Sequence, residues 1–495
     1  MVTLIINAIY KASGGLGDSP LERGGNAIKL NSLTSCCRVR RTAKHTPQPH
    51  IPAHPLSRGE LKSHSLSIRY MNKSGGLCDS PLERGGGVCF MRAIVKIVLA
   101  GCFVAGVLNF GKANAQKRSF KADKDLLQTI DNDYKKATAQ YKLMAKELKP
   151  DRFPKTYYAD SAKLETSNSG WWCSGFYPGT LLYLYHQTKD KALIAEANRI
   201  MAVLAKEQYN KTTHDLGFMM YCSFGNAEKF EPKPEYKQIL INSAQSLASR
   251  FDPKVGCIKS WDSKKPEYLV IIDNMMNLEL LFWASRVTGD SRFYKIAVTH
   301  ANTTMKNHFR PDYSSYHVVV YDPLTGEVKQ RRTAQGYADE SAWARGQAWG
   351  LYGYTVMYRE TADKKYLDQA RNIANFILSN PNLPKDKIPY WDYNAPNIPG
   401  ALRDASAAAV MASAFLELCQ YTDAKTGQLY FNTAETIIRN LSVKPYMAAV
   451  GTNGGFILQH SVGHMPNKTE IDVPLTYADY YFIEALNRYQ NLTGK

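Results

Sequence analysis

The stretch Thr288-Gly289-Asp290, followed by FYKIAVTHANTTMKNHF at 293–309, decides the fold, because the chain repeats it. Thr361-Ala362-Asp363 stands before YLDQARNIANFILSN (366–380), and Thr188-Lys189-Asp190 before another run of the same kind. In each, apolar residues recur at three- and four-residue spacing, the pattern of an amphipathic helix. The Asp of each connector is placed to accept hydrogen bonds from the first unpaired amides of the helix behind it. Working outward, the same periodicity predicts helices at 122–147, 174–188, 190–208, 214–226, 234–250, 271–288, 290–308, 340–361, 363–379, 403–422, 424–440 and 474–492. Twelve helices make six hairpins, and six hairpins stacked through their apolar faces can close into a toroid, an all-α (α/α)6 barrel. An open helical solenoid is the alternative, but the aromatics cluster at segment starts, where a barrel has its mouth. A short β-hairpin is expected at 314–333, where Tyr316 to Tyr321 precedes the turn Asp322-Pro323-Leu324-Thr325-Gly326.

Three parts precede or contain these helices. Residues 13–25 (SGGLGDSPLERGG) recur almost unchanged at 74–86 (SGGLCDSPLERGG), and residues 1–90 have no helical or strand period. They read as a disordered or artefactual upstream extension carrying two short repeats. Residues 91–115 read as a signal peptide: Arg92 and Lys96, an apolar run from Ile97 to Phe110, and Ala113-Asn114-Ala115 before Gln116. The apolar run is too short for a membrane span. Secretion, with the periplasm as destination, is therefore expected. A lipid anchor at Cys102 is the rival, weakened because Lys96 leaves almost no apolar region before it. Residues 116–495 are expected to form the (α/α)6 domain, which would carry any catalytic site.

Residues 1–115 hold 15 of the 62 basic and 5 of the 44 acidic residues, so the remainder carries 47 against 39. That mild positive excess suits a small acidic substrate and is too diffuse for nucleic acid. Cys173, Cys222, Cys257 and Cys419 are widely spaced and show no metal-ligand pattern, so neither a metal nor another cofactor is expected. Two disulfides and buried thiols are equally compatible with that spacing. A monomer or weak homo-oligomer is expected.

Two carboxylates stand out. Asp215 lies in His214-Asp215-Leu216-Gly217-Phe218 and Asp273 in Ile271-Ile272-Asp273-Asn274-Met275, each among apolar or uncharged neighbours. A desolvated carboxyl holds its proton towards neutral pH, as a general acid must. Trp172, in Trp171-Trp172-Cys173-Ser174-Gly175, offers a flat face to a sugar ring, although any one of these aromatics can equally fill the core. Arg345 and Trp349 lie four apart on one helical face, and Arg345 must meet an anion, of the protein or of the substrate. His214, His317 and Gln335 stand near the same segment starts. A late stretch from Gly454 to His464, including Ser461, reads as a loop that shapes specificity.

Together these stretches, across 120–492, resemble glycoside hydrolase family 88, the unsaturated glucuronyl hydrolases. The resemblance implies an (α/α)6 barrel and an enzyme acting on oligosaccharides left by polysaccharide lyases. It implies release of the non-reducing-end 4,5-unsaturated glucuronate, by hydration of its C4=C5 vinyl ether and not by attack at the anomeric carbon. Asp273 matches the family's general acid/base and Asp215 its second essential aspartate. Trp172, His214, His317, Gln335, Arg345, Trp349 and Ser461 match positions that contact substrate. Members that prefer sulfated disaccharides carry two serines and a lysine in the tail, where this chain reads Ser461, His464 and Pro466, a departure that argues against sulfated chondroitin fragments. The alternatives are an unsaturated rhamnogalacturonyl hydrolase acting on pectin fragments, a polysaccharide lyase on a similar toroid, and a non-catalytic sugar-binding protein.

Overall fold

The structure is a computed structural model that describes residues 119–263 and 265–494. The upstream repeats, the export signal and Cys102 lie outside the described residues. In chain order the elements are α1 (Lys124–Glu147), β1 (Phe153–Tyr158), β2 (Lys163–Ser167), α2 (Phe176–Thr188), α3 (Lys191–Leu204), a π-helix (Gly217–Gly225) running into α4 (Asn226–Phe230), and α5 (Pro234–Ala248). Then come β3 (Phe251–Asp252), β4 (Cys257–Ile258), β5 (Tyr268–Ile271), a 3-10 helix (Ile272–Asn277) leading into α6 (Leu278–Thr288), α7 (Ser291–Asn307), β6 (Val318–Tyr321) and β7 (Val328–Arg332). Last are α8 (Ala344–Thr361), α9 (Lys364–Ser379), α10 (Ala405–Leu418), α11 (Ala424–Leu441), β8 (Ser461–His464), β9 (Thr469–Val473) and α12 (Thr476–Thr493).

The helices alternate between two rings. α12, α2, the π-helix with α4, the 3-10 turn with α6, α8 and α10 pack in that order, and α10 returns to α12. This closed inner ring makes the (α/α)6 barrel, with α1, α3, α5, α7, α9 and α11 outside it. Composition sorts the rings. α10 (ASAAAVMASAFLEL) is buried along its whole length, as a helix apolar all round must be. α7 and α9 bury one face each, through Phe293, Ala297 and Ala301 and through Tyr366, Ala370, Ile373 and Ile377.

The connectors form as the sequence implies. Thr188, Thr288 and Thr361 each donate a hydroxyl to the carbonyl four residues back and accept the amide of the following Asp. Asp190, Asp290 and Asp363 then accept from the amides of Ala192, Arg292 and Lys365. Between them Lys189, Gly289 and Ala362 adopt left-handed backbone with φ of 58°, 73° and 55°. One close approach sets the inner ring: a Cβ on Gly175 or Gly179 of the α2 entry would lie 2.1 Å from the Phe218 carbonyl or 2.4 Å from the Cys222 carbonyl.

The expected hairpin at 314–333 is present as β6–β7 and gains a third strand, β5, which pairs with β6. β1–β2 and β8–β9 are two further hairpins, and the second stands where a loop was expected. Cys173, Cys222 and Cys257 are free thiols. Among the described residues no helix is long and apolar enough to cross a membrane.

The connector geometry makes a paired prediction. Gly289→Ala forces a side chain into left-handed backbone and should lower stability by about 1 kcal/mol, whereas Ala362→Gly relieves the same strain and should raise it by up to about 1 kcal/mol. Denaturant midpoints of the two variants should therefore move in opposite directions.

Candidate active site

The amino-terminal ends of the inner helices converge on one cavity of about 350 Å³. Trp172 precedes α2, Asp215 precedes the π-helix, and Asp273 lies in the 3-10 turn. Arg345 is the second residue of α8 and Tyr477 the second of α12, while Asp404 caps α10 just behind the wall. Helix amino termini carry partial positive charge, so this end of the barrel favours an anion.

Asp273 and His317 are neighbours because the 3-10 turn begins where β5 leaves its pairing with β6. β5 pairs with β6 so that Ile271 faces Val318, and the Ile272 amide donates to the His317 carbonyl. That register sets Ile272 opposite His317, and the chain turns there into the 3-10 helix, which brings the following side chain, Asp273, beside the imidazole, Asp273 Oδ2 lying 3.9 Å from His317 Nε2. That oxygen has no hydrogen-bond partner among the described residues. Burial pushes the Asp273 carboxyl up to about 7, with Arg345 pulling it down and the Asp215 charge pushing it further up. His317 Nδ1 accepts the amides of Ala334 and Gln335, both at 3.1 Å. Two donors on Nδ1 fix the neutral tautomer with its proton on Nε2, towards Asp273. Burial, with Arg345 adding to it, holds the imidazole well below its ordinary pKa.

Asp215 has a different environment. It is partly exposed, accepts from Thr213 Oγ1 at 2.6 Å, and lies 3.2 Å from His214 Nε2. His214 is buried and held below its ordinary pKa by desolvation, against the pull of the Asp215 charge.

Arg345 is 1% exposed. Its Nη1 donates to Asp404 Oδ2 at 2.9 Å, Ser406 Oγ at 3.3 Å and the Val462 carbonyl at 2.6 Å, and its Nη2 to the Gly463 carbonyl at 2.8 Å. Asp404 is wholly buried. The anion that Arg345 meets is therefore the protein's own, although the guanidinium borders the cavity. Gln335 reaches the same carbonyl, Nε2 to Gly463 O at 2.9 Å.

Of the residues singled out from sequence, the cavity gathers Asp215, Asp273, Trp172, His214, His317, Gln335 and Arg345. Two do not reach its wall. Trp349 is 0% exposed and packs beneath the cavity between Phe218 and Tyr481, because it lies one helical turn deeper than Arg345. Ser461 is likewise fully buried at the start of β8. The sequence reading missed Lys155, Trp261, Asn467, Thr469 and Glu470, which also line the cavity.

Known proteins resemble this chain in sequence and in fold. A model of Glycosyl Hydrolase Family 88 matches residues 144–376. The unsaturated glucuronyl hydrolase of Formosa agariphila is 43% identical over 410 residues, covering 82% of this chain and all of that protein. The chain belongs to glycoside hydrolase family 88. Within the family, a crystal structure of an unsaturated glucuronyl hydrolase specific for heparin superposes with a TM-score of 0.72 at 48% identity, covering 74% of this chain and 98% of the other. A variant of the Streptococcus agalactiae unsaturated glucuronyl hydrolase, solved in complex with dGlcA-GalNAc6S, gives 0.64 at 27% identity, covering 77% and 96%.

The ion pair has a measurable consequence. Arg345→Leu strands the Asp404 carboxylate inside the barrel and should cost about 3–5 kcal/mol of stability. Thermal unfolding should show a large fall in midpoint, well beyond that of an exposed arginine replaced in the same way.

Proposed function

We propose that this chain releases the non-reducing-end 4,5-unsaturated glucuronate from oligosaccharides left by polysaccharide lyases, by acid-catalysed hydration of the C4=C5 bond. The observation that carries the reading is Asp273: a buried carboxyl held near 7, one oxygen unpartnered, facing a cavity of disaccharide scale. The names of the family 88 relatives support the substrate class, and the complex with dGlcA-GalNAc6S supports an oligosaccharide as ligand.

In this mechanism the Asp273 carboxylic acid delivers its proton to C4, and positive charge develops at C5 and the ring oxygen. Water adds at C5 and gives a proton back to the Asp273 carboxylate. The resulting hemiketal opens and collapses, freeing the neighbouring sugar. Asp215, with its charge across the cavity, stabilises the cationic transition state and keeps Asp273 protonated before it. His317, fixed as a neutral donor at Nε2, can hold the uronate or the water but cannot take the proton. The helix amino termini and the Arg345 edge favour the uronate carboxylate. Because the bond broken is reached through C4 and C5, the spacing rule for carboxylates that attack an anomeric carbon does not apply.

Export belongs to the same proposal. The mature protein from its host should begin near Gln116 and be recovered from the periplasm, which amino-terminal sequencing of that fraction would check.

Incubation with unsaturated disaccharides from hyaluronan, chondroitin, heparin and pectin tests the chemistry. Absorbance of the double bond should fall with wild type on at least one glucuronyl disaccharide and stay constant with Asp273→Asn. Loss confined to the pectin disaccharide would replace the glucuronyl reading. An acid must be protonated to act, so kcat/KM should decline as pH rises through about 7. Asp215→Asn removes a charge that raises the Asp273 pKa, so the residual activity should decline at lower pH, by on the order of one unit.

The stability sign is also determined. Folded Asp273 keeps its proton to about 7, whereas its ordinary pKa is 3.8, so ionising it costs stability progressively between those values and fully above them. Asp273→Asn should therefore melt above wild type at about pH 8, and the gap should close towards about pH 4. A gap that does not change with pH would remove the raised pKa from the argument.

A further inference from the structure

The mouth of the cavity carries charges that the hydration steps do not use. Lys155 on β1 lies 2.8 Å from Glu165 Oε1 on β2 and 3.5 Å from Glu470 Oε1 on β9, so one ammonium bridges two hairpins and faces two carboxylates. The trio has a net negative charge. Burial works against the Lys155 charge, but Glu165 and Glu470 outweigh it and hold the ammonium above its ordinary range. Lys155 is thus already paired and is not an unclaimed cation for an anionic ligand.

Glu470 is placed with unusual care. Its side chain is only 14% exposed, yet it lines the cavity. It lies over Gly463, where an added Cβ would meet Glu470 Oε2 at 2.5 Å and its Cβ at 2.6 Å. The carbonyl of that same glycine is held by Arg345 and Gln335. Glu470 itself has φ of 55°, a left-handed conformation that a side chain opposes and that is retained where the surroundings dictate it. Beside this group Trp171 leaves 42% of its surface exposed, with Lys155 Nζ over its ring 5.2 Å from the centroid, so an indole able to pack against a pyranose ring borders the same charges.

The acid, His317 and Arg345 stand on the inner helices and the sheet that floor the cavity, whereas Lys155, Glu470 and Trp171 belong to or adjoin the rim hairpins. The unsaturated ring, being the non-reducing end, takes the deep position, and the sugar it is released from takes the rim. Resting on the function proposed above, we infer that Glu470 selects the leaving sugar: it accepts a hydrogen bond from a hydroxyl, amine or acetamide there and rejects a sulfate. Burial raises the Glu470 carboxyl above its ordinary range, against the pull of Lys155 and Arg345, and a sulfate at that position would meet this carboxyl with Lys155 already shared between it and Glu165.

The test compares kcat/KM on disaccharides that differ by one sulfate on the amino sugar: dGlcA-GalNAc against dGlcA-GalNAc6S, and the corresponding unsulfated and 6-sulfated glucosamine pair. Wild type should favour the unsulfated member by at least about tenfold. Glu470→Gln keeps the shape and removes the charge, and should narrow that preference about five- to tenfold. Lys155→Met removes the compensating charge and should widen it. Equal or better turnover of the sulfated members by wild type overturns the inference, as does an unchanged ratio in Glu470→Gln. Absence of turnover on all four overturns the proposed function as well, whereas turnover with an unchanged ratio overturns the selection by Glu470 alone.

Discussion

The buried pair of Arg345 and Asp404 is the interaction on which the site depends. Moving two charges out of water is expensive, and their attraction offsets it only when the remaining donors and acceptors are also matched. Here they are. Asp404 caps α10 through the amides of Ser406 and Ala407, and Arg345 reaches Ser406 and two carbonyls of β8. One guanidinium therefore joins the start of α8, the start of α10 and the β8–β9 hairpin. The arrangement continues through a single carbonyl: Gly463 also accepts from Gln335, whose amide donates to His317, and His317 faces Asp273. The orientation of His317, the neighbour of Asp273, is thus inherited from an ion pair that lies behind the cavity wall.

The two ends of the barrel are electrically distinct. At the site end the inner helices present amino termini. At the other end Arg359 and Arg488 hold Glu417 in the last turn of α10, where a carboxylate would otherwise oppose the helix dipole. Despite its burial, those two arginines hold Glu417 below its ordinary range. Between the ends lies an aromatic layer in which Trp172, Phe176, Phe218, Trp349, Tyr477 and Tyr481 contact one another through their rings. Such a layer excludes water from the floor of the cavity and keeps the surroundings of Asp273 weakly polarisable, which is what raises its pKa.

The helices were legible because their signals are local. A Thr-x-Asp connector caps and turns the chain through contacts within a few residues, and amphipathic periodicity needs no partner to be read. Asp273 was legible for a related reason, being a charge in an apolar run. Trp349 shows where local reading fails. Spacing of four puts it on the face of Arg345 but about 6 Å further along the axis, and that distance separates cavity wall from core. Glu470 shows the opposite failure. Asn-Lys-Thr-Glu-Ile-Asp at 467–472 reads as solvated surface, and only the approach of Lys155 from a strand more than 300 residues earlier turns it into part of a cavity. Both rim hairpins were missed because polar strands held by ion pairs, one of them between segments far apart in sequence, carry no apolar alternation.

Burial alone does not make a proton donor, and the barrel contains its own control. Asp479 on α12 is as deeply enclosed as Asp273 and is likewise pushed up to about 7 by burial. Yet its carboxyl accepts the amides of Ile457 and Leu458 and the hydroxyl of Tyr141, so it ties a loop and an outer helix to the inner ring. Every direction from which a substrate could approach it is filled by protein. Asp273 has the same raised pKa with one oxygen left open to the cavity, a like charge on Asp215 across it, and a histidine locked as a donor beside it. The difference between a structural carboxyl and one placed for the proposed proton transfer is therefore one of geometry: burial raises both, and only Asp273 keeps an oxygen open to the cavity.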